Sequence, residues 1–119
     1  MTTSVKIGNR RLLVLAAILD TADAEHRRKG EPTYNQTYWY HYNESSEPVG
    51  PACAGAHWEV SPQGRRVARE GVVTDPFAVN NEEWNELFSG TGCNNASTAK
   101  QAAKYIRGFV RRREKALAK

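Results

Sequence analysis

Leu12, Leu15, Ala16 and Leu19 recur at helical spacing and predict one helix over 9–29. Asn9 is placed to accept hydrogen bonds from the first free amides, and His26, Arg27, Arg28 and Lys29 suit the negative end of the helix dipole. Gly30 and Pro32 follow as a cap and a block. The middle of the segment, LLVLAAIL at 12–19, is apolar on nearly every side, so this helix is expected deep against its neighbours. A second stripe, Ala102, Tyr105, Ile106, Phe109 and Val110, predicts a C-terminal helix opened by a Thr98/Gln101 capping box. Gly108 weakens it by about 1 kcal/mol relative to Ala. Between the two, Asn80 or Asn81 caps a short helix through NEEWNELF, with Glu82 and Glu83 in its first turn and Trp84, Leu87 and Phe88 facing inward.

The alternation of Tyr38, Tyr40 and Tyr42 changes period from 3.6 to 2 and predicts a half-buried strand. The following NESSEPVGP reads as a loop. SPQG at 61–64, flanked by HWEV and RRVARE, reads as the turn of a short hairpin or as a helix end and loop. Pro51 in a first turn would open a short helix over Ala52–Trp58. The expected fold is a mainly α single domain spanning 1–119, of about four helices. A short two-stranded element, Tyr38–Tyr42 with Glu59–Val67, leaves α+β as the variant, and 111–119 forms a basic helical tail.

Composition agrees with one folded module: 119 residues, 39% hydrophobic and 25% charged. The N-terminal VKIGNRR, the apolar run and Ala22-Asp23-Ala24 imitate a secretory leader. Eight apolar residues sit near the lower limit of such a leader and far below the roughly 18 needed to span a bilayer, so the segment reads as a core helix of a cytoplasmic protein. No membrane contact is expected.

Charge is unevenly divided. Residues 98–119 hold eight Lys or Arg against one Glu, a balance of +7 in a chain of +4, which leaves 1–97 at −3. Lys104, Arg107, Arg111 and Arg112 are therefore candidates for phosphates or an acidic partner, with Arg65 and Arg66 in a second basic cluster. Tyr38 and Tyr40 are added because an aromatic cluster can stack bases or line a groove, although edge packing is the commoner use of tyrosine. Trp84 reads as core.

PACAGAH at 51–57 sets Cys53 and His57 one helical turn apart. That spacing permits a thiolate activated by imidazolium, or two metal ligands. A tetrahedral zinc site needs at least one more protein ligand, and Cys93, His41 and His26 stand at irregular separations. A nucleophile needs an orienting group that the sequence does not place. Cys53 is thus read as a buried packing residue, Cys53 and Cys93 as thiols rather than a disulfide, and no cofactor or enzymatic activity is expected.

Asn9–Ala16 (NRRLLVLA), Ala52, Cys53 and His57, Glu83–Gly90 and AAKYIRGFV at 102–110 together resemble a family of small phage and prophage proteins. These begin Asn-Arg-x-Leu-Leu-x-Leu-Ala, carry a central Cys-Gly-x-x-Ala-Cys-x-x-Gly-His-type motif and end in an Ala-rich helix with IRxFV. The family's first motif cysteine falls near Pro48 or Val49 here, and Gly55 lies one place earlier than the pattern. The resemblance implies a mainly helical accessory protein of a mobile element. It also implies binding to a host or phage protein complex, including nucleoprotein, as a counter-defence inhibitor of the anti-CRISPR kind, with a homodimer as a further expectation.

Overall fold

The computed structural model describes residues 3–29, 40–42, 44–70, 76–89, 96 and 98–117. Among them the chain is mainly helical, with one short strand pair. The first helix, α1, runs Thr3–Lys29 and starts two turns before the expected Asn9. Asn9 is not its cap. It is buried in the second turn, where its side-chain carbonyl accepts a 2.8 Å hydrogen bond from Arg113 Nε, so a tertiary partner replaces the capping role. The capping residues Gly30 and Pro32 lie outside the described residues.

The last helix, α5, spans Ala99–Leu117, and Thr98 Oγ1 accepts from Gln101 N as the capping pattern requires. The two long helices run antiparallel: Asn9 meets Arg113, Asp20 meets Arg107, and Asp23 receives the Lys100 amide. Leu12, Leu15 and Leu19 of α1 pack with Ala102, Ala103, Ile106 and Val110 of α5, and small residues on both sides let the axes approach. Each fully buried leucine contributes about 1.5–3 kcal/mol. The expectation of a helix deep against its neighbours holds for Leu12, Leu15, Ala16 and Leu19, all at 0% exposure, but not for Leu13, which is 41% exposed, or for Ala17, which is also exposed. With α5 on one side and α2 adding only a further partial cover, nothing described roofs the outer stripe of α1.

Strands β1 (Tyr40–Tyr42) and β2 (Pro48–Pro51) pair antiparallel in the register Tyr40 to Pro51, His41 to Gly50 and Tyr42 to Pro48, with an irregularity between His41 and Tyr42. The tyrosine strand was expected to pair with 59–67; it pairs instead with the segment read as loop. Ser46, at φ 61°, helps turn the chain within NESSE, and the two prolines sit at the ladder ends, where a missing amide costs least. Residues 59–67 are helical. α2 is Ala54–Val60 and α3 is Pro62–Arg69. Ser61 joins them, accepting from Gly64 N at 2.9 Å while donating to Trp58 O at 2.6 Å, with Pro62 at the first helical position. SPQG is a helix start, not a hairpin turn. Gly64 fits the corner because a Cβ there would stand 1.9 Å from Trp58 O. Pro51 likewise belongs to β2 rather than to the first turn of α2, whose N-cap is Cys53.

The short helix α4 (Asn81–Trp84) begins with the expected device: Asn80 Oδ1 accepts from Glu83 N at 2.8 Å and Glu83 Oε1 from Asn80 N at 2.9 Å. It passes into one π-helical turn, Asn85–Ser89, that delivers Leu87 and Phe88 to the core.

Arg113 departs furthest from expectation. It falls in the segment 111–119 expected as a basic helical tail, yet it is only 9% exposed. Besides Asn9, its guanidinium donates to Phe77 O and Ala78 O, each at 2.9 Å, and to Val5 O at 3.4 Å, with Glu83 at 3.8 Å. It ties α5, α1 and the segment before α4 together. Ala78 holds a left-handed φ of 53°, and Gly8 lies so close to that segment that a Cβ would fall 2.1 Å from Phe77 O.

Candidate functional site

The thiol and imidazole of PACAGAH are both buried, Cys53 at 2% and His57 at 4% exposure. Their link is the backbone turn itself, His57 N donating to Cys53 O at 3.1 Å. Burial pushes the Cys53 thiol above its ordinary value. The first-turn amides of Ala56 and Gly55 oppose that rise, and the charge of Glu59 adds to it. An activated nucleophile requires the opposite shift. Among the described residues no three His, Cys, Asp or Glu side chains converge as metal ligands. Cys93 and the side chains of His26 and His41 lie outside the described residues. With Ala52, Ala54 and Ala56 at 0% exposure, the motif packs the start of α2 beneath α1.

The basic candidates divide. Lys104, Arg107 and Arg111, at i, i+3 and i+7 on α5, line one open groove of about 790 Å³ against the C-terminal half of α1, joined by Lys100 and Arg27. Two carboxylates share it. Arg107 is bound to Asp20 at 2.6 Å and Arg27 to Asp23 at 3.0 Å, so two of the five cations are already neutralised. Arg112 is not part of this groove. It turns to the other flank of α5, meeting Glu86 at 3.3 Å and standing 5.6 Å from the Tyr105 ring. Arg65 and Arg66 are exposed on α3. Tyr38 lies outside the described residues, as do Tyr34 and Trp39; Tyr40 is described only through its backbone in β1, and Tyr42 is 59% exposed.

A third surface was not anticipated. Trp84, expected in the core, is 39% exposed and forms a wall of a cleft of about 440 Å³ between α3, the end of α2 and α4. Trp58 and Phe77 meet edge to face in its depth at 5.2 Å between centroids, and Trp84 leans on Phe88 at 4.7 Å. Gly55 and Gly64 leave room for it, and Arg65, Arg69 and Glu59 stand at the rim. The sequence carried a partial signal, since Arg65 and Arg69 are one helical turn apart. Bringing Trp84 beside them depends on how the chain returns through Pro76–Phe77. The tryptophan was misassigned because α4 is a single turn, and its outward side has no second turn to be compared with.

Comparison with protein-family models, with curated proteins and with solved structures finds no match. Among the described residues no helix is long and apolar enough to cross a membrane.

Proposed function

We propose that this chain is a non-enzymatic accessory protein of phage or prophage origin that docks on a host or phage macromolecular complex, acting as a counter-defence inhibitor of the anti-CRISPR kind. The observation that carries the binding part is the half-exposed Trp84 beside an aromatic cleft rimmed by Arg65 and Arg69. Binding energy at protein interfaces concentrates in Trp, Tyr and Arg that enclose a partner group and exclude water. The cleft volume lies within the roughly 300–1,000 Å³ of pockets that take a ligand, enough for one or two anchoring side chains. The raised Cys53 pKa argues against thiol catalysis, and the resemblance supplies the mobile-element origin.

The test is phage plating on bacteria whose defence complex restricts infection. Expression of the chain is expected to restore plaques, and Trp84→Ala or the Arg65→Glu/Arg69→Glu double variant to abolish the effect while remaining folded. Full activity of both variants refutes the cleft as the docking surface. Failure of the unaltered chain against a panel of defence complexes refutes the inhibitor reading.

The second reading, a nucleic-acid-binding module, is favoured by the alignment of Lys104 and Arg111 in the α1–α5 groove. Asp20 and Asp23 in the same groove repel phosphates, which places this reading behind a mixed-charge protein surface. It requires affinity for nucleic acid that falls steeply with salt and weakens in Lys104→Glu.

A further inference from the structure

We propose that the groove between the C-terminal half of α1 and α5 is a second docking surface, whose occupant is an acidic α-helix of a partner protein. Lys100, Lys104, Arg107 and Arg111 follow one another along the outer face of α5, and Arg27 joins them from α1. The two carboxylates in the lining are already engaged, Asp20 by Arg107 at 2.6 Å and Asp23 by Arg27 at 3.0 Å and by the Lys100 amide. Lys100, Lys104 and Arg111 are exposed, and among the described residues their side chains form no ion pair. The groove therefore holds three uncompensated positive charges. Nearby acids do not cancel them. Glu114 lines a separate pocket with Lys6 and Arg10, and Glu86 faces Arg112 on the other flank of α5. Glu25 stands five residues beyond Asp20, about 140° round the helix at 3.6 residues per turn. Exposed Arg28 and Lys115 have the same sign as the groove.

Shape and spacing choose the occupant. Two antiparallel helices leave a furrow along their axes, in which a third helix packs at about 8–10 Å. Ala24 and Gln101 on the two walls carry no charge, and Ala24 is small enough for close approach. Lys100, Lys104 and Arg111 lie on one face of α5 and span about 16 Å at 1.5 Å per residue. A helix alongside meets all three with carboxylates at i, i+4 and i+11, or at i, i+7 and i+11 in the opposite direction. A nucleic acid fits less well. Its strand is charged throughout and meets Asp20, whose side chain is 38% exposed, whereas a protein can set a hydrogen-bond donor there. Among the described residues no aromatic side chain lines the groove, so unpaired bases find no stacking platform. Exposed ion pairs are individually weak, so the contact is salt-sensitive.

The groove shares no lining residue with the Trp84 cleft, so each can fail without the other. The test is an NMR titration of the full isotope-labelled chain at near-physiological salt. The probe is an alanine-based peptide of about 20 residues, above the roughly 12–15 at which isolated helices are marginal, with Glu at i, i+4, i+7 and i+11 to serve either direction. A scrambled peptide of the same composition and a short duplex DNA are the comparisons. Amide shifts are expected along 100–111 and 20–27, with an affinity at least about fivefold above that of the scrambled peptide and above that of the duplex. Lys104→Glu weakens binding by about tenfold, and replacing one of the two inner Glu of the peptide by Lys restores it to within about threefold. Trp84→Ala leaves it unchanged. Lys104 is exposed, and unchanged far-UV circular dichroism confirms that its variant folds. Equal binding of the scrambled peptide, tighter binding of the duplex, or indifference to Lys104→Glu overturns the proposal. So does a chain that binds none of the three probes.

Discussion

Replacing Arg113 with Met keeps an unbranched stem against Phe109 and removes the guanidinium. Three hydrogen bonds of 2.8–2.9 Å are lost, to Asn9 Oδ1, Phe77 O and Ala78 O, together with the longer contacts to Val5 O and Glu83. At roughly 1.5 kcal/mol for each short bond to a charged group the loss is about 4.5 kcal/mol, within the roughly 3–5 kcal/mol typical of breaking a buried charged network by removing one member. Releasing a desolvated cation offsets some of this, but the buried acceptors it leaves behind restore most of the cost. Against about 5–15 kcal/mol of total stability for such a domain, the variant is expected to melt roughly 15 °C lower. Urea unfolding followed by tryptophan fluorescence and by helical dichroism measures the change. Arg113→Lys, which keeps charge but not the fork, should lie about halfway, and Arg112→Met, whose ion pair to Glu86 is exposed, should cost less than about 1 kcal/mol. A loss below about 1 kcal/mol for Arg113→Met, or equal losses at 112 and 113, would refute the assignment of Arg113 as the tie between α5, α1 and the 77–78 segment.

Ala78→Gly relieves a left-handed φ and is expected to stabilise the chain by about 0.5–1 kcal/mol, whereas Gly8→Ala forces a Cβ against Phe77 O and should destabilise it by several times that; thermal melts of both check the packing of this segment. Ser61→Ala removes the cap shared by α2 and α3 and should cost about 1–2 kcal/mol by urea unfolding. The Cys53 thiol is raised in the folded chain above its reference value of 9.0, so the unfolded chain loses that proton first and stability falls as pH climbs past 9.0. The pH dependence of urea midpoints in the alkaline range should therefore be flatter in Cys53→Ala than in the parent, and identical slopes would contradict the burial of the thiol.

Regular periodicity and local capping chemistry were legible in the sequence. The stripe Ala102–Val110, the Asn80/Glu83 box and the leucines of α1 each lie within a turn or two of the residues that explain them, so the sequence alone determined a mainly helical domain and most of its core. The burial of Cys53 was legible too, since its small neighbours Ala52, Ala54, Gly55 and Ala56 are adjacent in the chain. What tertiary structure decided are the features whose partners lie far along the chain. Asn9 and Arg113 are 104 positions apart, and nothing local distinguishes Arg113 from the exposed arginines before it. The split of the basic cluster into a groove, an exposed pair with Glu86 and a buried tie follows from the phase of α5 against α1, which a charge count does not contain. Strand pairing was decided by a short turn over a distant alternative, and Trp84 was brought out of the core by where a single turn of helix landed beside α3. Local free energies specify the elements; which of their side chains face water is set when the elements meet.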